Sequence, residues 1–239
     1  SHIVANTIPN CISYDPTYGY ELAVIVHSGL VRMYENHENI FYYITTMNEL
    51  YSHPAMPKGA EAGIIKGMYK LSGKANPQVR LLGCGTILRE VERAAEMLQN
   101  DWKISANVWS VTSFNELTRE AQALDRQNRL SGKPPQMPYI TECLGDSKSP
   151  VIAATDYMKN FAEQIRKYVP ARYEVLGTDG FGRSDSRQAL RDFFEVDANY
   201  ITITALKALA DEGKIDALVI AKALKKYGIN PNKPNPMSV

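Results

Sequence analysis

The sequence predicts an α/β fold, with an open and mostly parallel sheet that carries helices on both faces. Short apolar runs rich in β-branched residues alternate with longer segments whose apolar residues recur at helical spacing, and this alternation is typical of a parallel sheet. The 239 residues are 44% hydrophobic and 22% charged, which is enough to bury a substantial core. No internal repeat or low-complexity tract interrupts the pattern.

The first 58 residues are predicted to contain one helix and one strand. Asp15 and Pro16 suit a helix start, because Asp caps free N–H groups and Pro loses nothing in the first turn. Apolar residues then recur at helical spacing, at Tyr18, Leu22, Val26, Leu30 and Met33. Residues 39–46 predict a strand that is buried on both faces. One helix and one strand cannot form a domain, so we expect residues 1–58 to be the tail of a second α/β domain.

Residues 59–77 are rich in Pro and Gly and are predicted to be a connector, followed by a domain over residues 78–239. Strands are predicted in this domain at residues 79–83, 107–112, 139–144, 151–155 and 173–178. Helices are predicted at residues 86–98, 115–130, 157–169, 186–194, 201–209 and 216–227. Gly228 is expected to end the last helix. Residues 131–137 fit neither periodicity and are predicted to form an exposed loop.

Composition excludes several classes of function. Lys and Arg total 27 against 26 Asp and Glu, a formal net charge of +1, so no general field attracts nucleic acid or an anionic membrane. The cysteines are odd in number and widely spaced, which indicates neither a disulfide framework nor a zinc site and fits a reducing cytoplasm. Neither a membrane span nor a signal peptide is recognisable. The aromatic run at residues 41–43 is more typical of a core strand than of base stacking.

The loop after the predicted strand at residues 39–46 carries the candidate catalytic residues. Ligands of an open α/β sheet are met at the carboxyl ends of its strands, where Glu49 and His53 lie. An imidazole with an ordinary pKa of about 6.5 transfers protons near neutrality, although many loop histidines are solvated bystanders. Pro54 disfavours helix at His53, so only the loop conformation can bring the pair together. Three neighbours are expected to line a substrate channel or to support the pair: Asn48, Tyr51 and Ser52.

Two glycine-containing turns leave alternatives open. Residues 83–86 follow a strand and open a helix, as in a dinucleotide-binding fingerprint, but one of its three glycines is missing. A tight turn is therefore favoured over nicotinamide or flavin binding, and Cys84 is expected to be a buried, inert thiol. Residues 177–187 lack the ending of a P-loop; Arg183 and Arg187 can hold an anion there, although a structural role is favoured.

Three segments together resemble the homodimeric E1 component of the bacterial pyruvate dehydrogenase complex: residues 11–16, 43–59 and 177–187. The resemblance covers the whole chain. It implies a transketolase-like C-terminal domain over residues 78–239, preceded by the tail of the pyrimidine-binding domain over residues 1–58. It also implies an enzyme that uses thiamine diphosphate and Mg²⁺ to decarboxylate pyruvate and to reductively acetylate the lipoyl group of the E2 dihydrolipoyl acetyltransferase.

The resemblance further implies roles for individual parts of the chain. The family has an active-site histidine in this loop, and His53 is the only candidate. The family's cofactor-binding motifs are not recognisable here, so the chain is expected to be an inactive C-terminal fragment that binds neither cofactor nor metal by itself, within a cytoplasmic homodimer. Two other functions stay open: a non-catalytic module for dimerisation or E2 docking, and a small Rossmann-type oxidoreductase that binds its cofactor at residues 83–85.

Overall fold

The computed structural model describes residues 1–145 and 147–239. Within these residues the main sheet consists of β3 (Met68–Ser72), β4 (Val79–Gly83), β5 (Ala106–Val111), β6 (Val151–Ala154) and β7 (Tyr173–Leu176). Their order in space is β3, β5, β4, β6, β7. Strands β4, β5, β6 and β7 run parallel to one another. Strand β3 lies at one edge and is antiparallel to β5. The prediction of an open, mostly parallel sheet is confirmed.

Helices cover both faces of this sheet. Successive residues of β4 point to opposite sides, and each side packs against a different set of helices. Leu81 belongs to a core formed with α4 (Leu88–Trp102), α9 (Ala198–Asp211) and α10 (Leu218–Tyr227). Leu82 belongs to a second core, formed with α5 (Phe114–Arg129), α6 (Tyr139–Leu144) and α7 (Asn160–Glu163). The near-continuous apolar character of β4 follows from this burial on two sides.

The N-terminal segment packs against the carboxyl edge of the main sheet. It contains α1 (His2–Asn6), β1 (Cys11–Tyr14), α2 (Gly19–Leu30), a π-helical turn (Val31–Glu35) and β2 (Phe41–Ile44). Strands β1 and β2 pair in parallel. The backbone N–H of Asp15 donates to the carbonyl of Thr112 at 2.8 Å, just beyond the end of β5. The two parts of the chain are thus joined directly at the strand ends.

The helix predicted to begin at Asp15 begins four residues later. Glu21 has its carboxylate turned back to accept the N–H groups of Thr17 at 2.5 Å and Tyr18 at 2.9 Å, so the helix starts at Gly19. The predicted apolar stripe is also wrong in part. The buried face is formed by Glu21, Ile25 and Gly29, whereas Val26 and Leu30 are exposed.

Three further predictions differ from the structure. Residues 139–144 form α6 rather than a strand, because Ile140 and Leu144 lie four residues apart and enter the core on one helical face. Residues 157–169 form only α7 and a 3₁₀ turn (Arg166–Tyr168). The strand expected to be buried on both faces, β2, is exposed or half-buried along its length, since it pairs only with β1 among the described strands.

Residues 59–77, expected to be a connector, contain α3 (Glu61–Lys66) and β3, which pairs with β5 at the edge of the main sheet. Other elements lie close to their predicted positions. A 3₁₀ turn (Gly85–Ile87) precedes α4, and α8 (Arg187–Phe193) follows the glycine-rich loop. Gly228 ends α10 in the left-handed conformation, as expected. Among the described residues, no helix is both long and apolar enough to cross a membrane.

Candidate functional site

A cleft of about 390 Å³ opens at the carboxyl edge of the main sheet. Thr86 lines it just beyond β4, Asp156 just beyond β6 and Thr178 just beyond β7. The chain leaves β4 for β5 on one side and returns to β6 on the other side, so the gap between β4 and β6 is a topological switch point. Ligands of open α/β sheets are bound at such points. The loop with residues 46–49, the glycine-rich loop at residues 182–183 and the segment of residues 187–196 supply the remaining walls.

Glu49 lies at one end of this cleft, within a group of three arginines that we call the arginine cluster: Arg89, Arg187 and Arg191. Arg89 Nη1 is 3.0 Å from Glu49 Oε1, and Arg191 Nη2 and Arg187 Nε are 3.2 Å and 3.7 Å from Oε2. Burial by itself raises the pKa of Glu49, but Arg89 and Arg191 outweigh it and hold this pKa below its ordinary value. Glu49 is therefore ionised near neutral pH and is poorly suited to donate a proton.

Arg191 is the most buried member of the arginine cluster, with 13% of its side chain exposed. Its Nη1 lies 3.2 Å from Glu90 Oε1, and its Nη2 donates to Thr86 Oγ1 at 2.7 Å. The other carboxylate oxygen of Glu90 accepts the N–H of Ala198 at 3.1 Å, at the start of α9. Arg191 consequently ties α8 to α4, to α9 and to the loop that carries Glu49.

Asn48 and Tyr51 also contact the arginine cluster. Asn48 Oδ1 accepts a hydrogen bond of 2.7 Å from Arg187 Nη2. The Arg89 guanidinium lies 4.5 Å from the centroid of the Tyr51 ring, within the range of a cation–π interaction. The Tyr51 hydroxyl donates to the carbonyl of Thr17. The loop is thus held at two residues besides Glu49.

His53 lies outside the cleft that contains Glu49. Its ring stacks on Tyr51 with centroids 4.7 Å apart, and its Nδ1 accepts the N–H of Gly19 at 2.9 Å. This bond requires the neutral ring to carry its proton on Nε2. The exposed imidazole lines a separate pocket of about 100 Å³, whereas Ser52 lies at the rim of a third pocket beside Arg89. The loop therefore does not bring Glu49 and His53 to one site.

Sequence reasoning missed a buried carboxyl group below the cleft. Asp15 Oδ1 accepts hydrogen bonds from Thr45 Oγ1 at 2.5 Å and from the Tyr157 hydroxyl at 3.3 Å. Burial raises the pKa of Asp15 to about 6, against the smaller opposing effect of these hydrogen bonds. The sequence signal was an Asp directly after an apolar run, but the adjacent Pro16 favoured its interpretation as a helix cap.

His2 was also missed, and it is linked to Asp15 through one hydroxyl group. His2 Nε2 lies 3.0 Å from Thr45 Oγ1, the same atom that donates to Asp15. The ring stacks on Phe161 at 4.9 Å and meets Tyr157 edge-on. Burial lowers the pKa of His2 to about 4, so the ring is neutral at pH 7. Nothing in the local sequence near His2 indicates this burial, because its neighbours come from distant segments.

The turn at residues 83–86 is filled by the Asp15 side chain. Gly85 has φ +49°, and a Cβ there would lie 2.3 Å from Asp15 Oδ2. A protein carboxyl group thus occupies the space that a dinucleotide pyrophosphate needs in front of this turn, which counts against the oxidoreductase alternative. Cys84 is buried and donates to Thr155 Oγ1 at 3.2 Å, and burial raises its pKa well above the ordinary value. The expectation that this thiol is buried is confirmed, and a raised pKa disfavours the reactive thiolate.

Two protein-family models match the chain. The model described as the transketolase-like TK C-terminal domain matches residues 67–197, and the model described as the pyruvate dehydrogenase E1 component middle domain matches residues 1–54. The chain therefore belongs to the transketolase-like C-terminal domain family.

Individual relatives are more specific. The chain is 60% identical over 242 residues to the pyruvate dehydrogenase E1 component of Pseudomonas aeruginosa and 56% identical over 241 residues to that of Escherichia coli. Each alignment covers 99% of this chain and 27% of the relative, so the chain spans about a quarter of the length of these proteins. The resemblance to bacterial E1 components is confirmed.

Solved structures support the same fold. The transketolase of Campylobacter jejuni aligns with 86% of this chain and 27% of its own length, at a TM-score of 0.62 and 16% identity. The transketolase of Leishmania mexicana aligns with 86% of this chain and 26% of its own length, at a TM-score of 0.58 and 17% identity. At such low identity these likenesses show the fold alone.

Proposed function

We propose that this chain supplies the C-terminal part of a pyruvate dehydrogenase E1 component. The observation that carries the proposal is an identity of 50–60% over essentially the whole chain to curated E1 components. The reaction proposed for the whole enzyme is decarboxylation of pyruvate, followed by reductive acetylation of a lipoyl group on the E2 subunit. A homodimer, E2 and pyruvate are the proposed partners. The cysteines are free thiols, in keeping with a cytoplasmic enzyme.

Thiamine diphosphate with Mg²⁺ would supply the carbanion chemistry of this reaction when bound. In residues 1–145 and 147–239, no three His, Cys, Asp or Glu side chains come close enough to hold a metal ion. These residues therefore do not fit the Mg²⁺ site, and we assign its ligands to polypeptide outside this chain. Residues 1–58 are proposed to belong to the pyrimidine-binding domain and residues 78–239 to the C-terminal domain. In the segment between them, β3 pairs with β5 and extends the sheet of the C-terminal domain.

We propose a different role for each of the two candidate catalytic residues. His53 accepts the Gly19 amide at Nδ1, so its Nε2–H points away from that amide and is suited to donate a hydrogen bond to a substrate oxygen. Glu49 acts as a positioning residue, since three guanidinium groups surround its carboxylate. Its ion pairs hold the loop, and Tyr51 transmits this order to His53 by stacking.

Asn48, Tyr51 and Ser52 are proposed to line the entrance between the pocket of His53 and the arginine cluster. Asn48 and Tyr51 have the geometry of fixed wall residues. Asn48 accepts a hydrogen bond from Arg187, whereas Tyr51 donates one to the carbonyl of Thr17 and contacts Arg89. Ser52 is exposed, which leaves its hydroxyl accessible to a substrate.

The test is a chimeric enzyme. The aligned C-terminal segment of the relative that is 60% identical would be replaced by this chain, and acetylation of lipoyl groups on E2 would be measured with pyruvate. We expect activity within about tenfold of the parent enzyme, because the replaced surfaces are closely similar. A folded chimera that binds thiamine diphosphate but does not acetylate E2 would contradict the proposed function.

The role of His53 is tested in the same chimera. His53→Ala should lower reductive acetylation by roughly 10²- to 10³-fold, the usual cost of removing a hydrogen-bond donor to a developing oxyanion, with the cofactor still bound. His27→Ala is the matched control, because His27 is exposed on α2, away from the loop. Equal activity of the two variants would remove His53 from the mechanism while leaving the family assignment intact.

A further inference from the structure

We propose that the cleft at the carboxyl edge of the sheet binds the phosphoryl group of a small metabolite, as a site separate from the pocket of His53. The cleft has a volume of about 390 Å³, within the range of small-molecule sites in proteins. It lies at the switch point between β4 and β6, with hydroxyl groups of Thr86 and Thr178 at the strand ends. Its position and size are thus those of a ligand site.

The charges that line the cleft favour an anion. Arg183, Arg187 and Arg191 line the cleft together with two carboxyl groups, those of Glu49 and Asp156. Burial raises the pKa of Asp156. Arg191 is already paired with Glu49 and Glu90. Arg183 lies over the ring of Phe193 at 5.0 Å, and no carboxylate of residues 1–145 or 147–239 pairs with it. One positive charge therefore remains for a ligand.

Arg187 has hydrogen-bond donors to spare. It donates one bond to Asn48 and lies 3.7 Å from Glu49, whereas a guanidinium carries five N–H groups and 53% of this side chain is exposed. Arg183 and Arg187 thus flank the open end of the cleft with accessible guanidinium groups. Paired arginines bind the oxygens of a phosphoryl group through charge-assisted hydrogen bonds.

The carboxylate of Glu49 shows what the arginines recognise. It is an oxyanion held by guanidinium groups at 3.0 to 3.7 Å, inside the same cleft. A phosphoryl group has a third oxygen that a carboxylate lacks, and the structure offers a donor for it. Thr86 Oγ1 accepts from Arg191, so its own proton stays available. Gly182, also in the wall, has no heavy atom within 4 Å of a Cβ position, which leaves its backbone open to a ligand.

The apolar part of the wall limits the body of the ligand. Met47, Leu190, Phe194 and Val196 line the cleft beside the arginines. Such a wall accommodates a short carbon skeleton, and the single excess positive charge matches one phosphoryl group rather than a triphosphate. We therefore assign the site to a small phosphorylated metabolite.

The test is a titration of the 239-residue chain with inorganic phosphate, with sodium acetate and sodium chloride as comparisons at constant ionic strength. Nuclear magnetic resonance would follow the Gly182 amide and the Nε–H signals of Arg183 and Arg187. We expect saturable shifts with phosphate at millimolar concentration and weaker ones with acetate. Shifts no more saturable than those with chloride would overturn the site, and tighter binding of acetate would overturn the phosphoryl assignment.

Variants locate the binding. Arg183→Gln combined with Arg187→Gln should weaken phosphate binding at least tenfold, since each lost charged hydrogen bond accounts for about 10- to 100-fold. Arg126→Gln on α5 is the matched control, because that arginine is exposed and does not line the cleft. An equal loss in the control would refute the location. The assay uses neither pyruvate nor E2, so its outcome is independent of the proposed function.

Discussion

The buried carboxyl group of Asp15 makes the stability of this fold depend on pH in an unusual direction. Its pKa in the folded protein is about 6, against an ordinary value of 3.8. The folded state therefore binds a proton at Asp15 more tightly than the unfolded state does, so the contribution of Asp15 to stability is greatest below about pH 4 and is lost as pH rises through about 6. We predict that Asp15→Asn removes this dependence, because the amide stays neutral and its oxygen accepts from Thr45 and Tyr157 as before.

The size of the effect follows from the two pKa values. A difference of roughly 2 units corresponds to about 3 kcal/mol in the free energy of unfolding. The unfolding free energy of Asp15→Asn, relative to that of the natural chain, should therefore increase by about 3 kcal/mol as pH rises from about 4 to about 7. His2 acts in the opposite direction. Burial lowers its pKa from 6.5 to about 4, so its protonation destabilises the folded state as pH falls through this range. Both proteins keep His2, so the difference between them isolates Asp15.

The assay is urea denaturation of the chain across this pH range, followed by the fluorescence of Trp102 and Trp109. The exposed Asp185 supplies a matched control, and Asp185→Asn should follow the pH profile of the natural chain. A free-energy difference between Asp15→Asn and the natural chain that stays constant with pH would refute the reasoning. It would mean that Asp15 titrates in the folded protein as it does in the unfolded chain.

Two further substitutions test the same junction by urea denaturation. Gly85→Ala should lower the free energy of unfolding by roughly 2–4 kcal/mol, because Ala is strained at φ +49° and its Cβ would clash with Asp15 Oδ2. Gly132→Ala is the control and should change stability little, because there is open space around Gly132. A small loss at position 85 would show that Asp15 can move. Glu21→Gln should cost about 1.5–3 kcal/mol, because its carboxylate accepts four hydrogen bonds and an amide NH₂ would face donors at one end. A neutral result would mean that this buried network rearranges.

The central parallel strands could be predicted from the sequence because each is a short apolar run between turn residues. The strand predicted at residues 79–83 is β4 with the same bounds, and those predicted at 107–112 and 151–155 differ from β5 and β6 by a residue at one end or both. The run at residues 139–144 is equally short and apolar, yet it is a helix. Its buried residues Ile140 and Leu144 lie four apart on one helical face, but a run of this length is too short for its periodicity to distinguish a helix from a strand.

The sequence could predict that the candidate site lies on a loop, but it could not predict which side chains surround Glu49. The position of Glu49 after β2 suggested chemistry, but its three arginine partners lie some 40 to 140 residues away in sequence and reach it only through the fold. The same holds for Asp15, whose partners Thr45 and Tyr157 come from two other segments. Spacing rules describe neighbours on one helix or strand, so they do not detect contacts between segments.

Asp15 and the arginine cluster both lie where the N-terminal segment meets the carboxyl ends of the main sheet, and their contacts hold the loop that carries Glu49. Asp15 fills the turn after β4 from below, while the arginine cluster on α4 and α8 holds Glu49 from above. The loop that carries His53 is thus fixed between two contacts that belong to different parts of the chain. Because an exposed loop loses much conformational entropy when it is ordered, such contacts are needed to hold an imidazole in one orientation. Arg187 and Arg191 also border the proposed phosphoryl site, so a ligand there would compete with Glu49 for two of the charges that hold the loop.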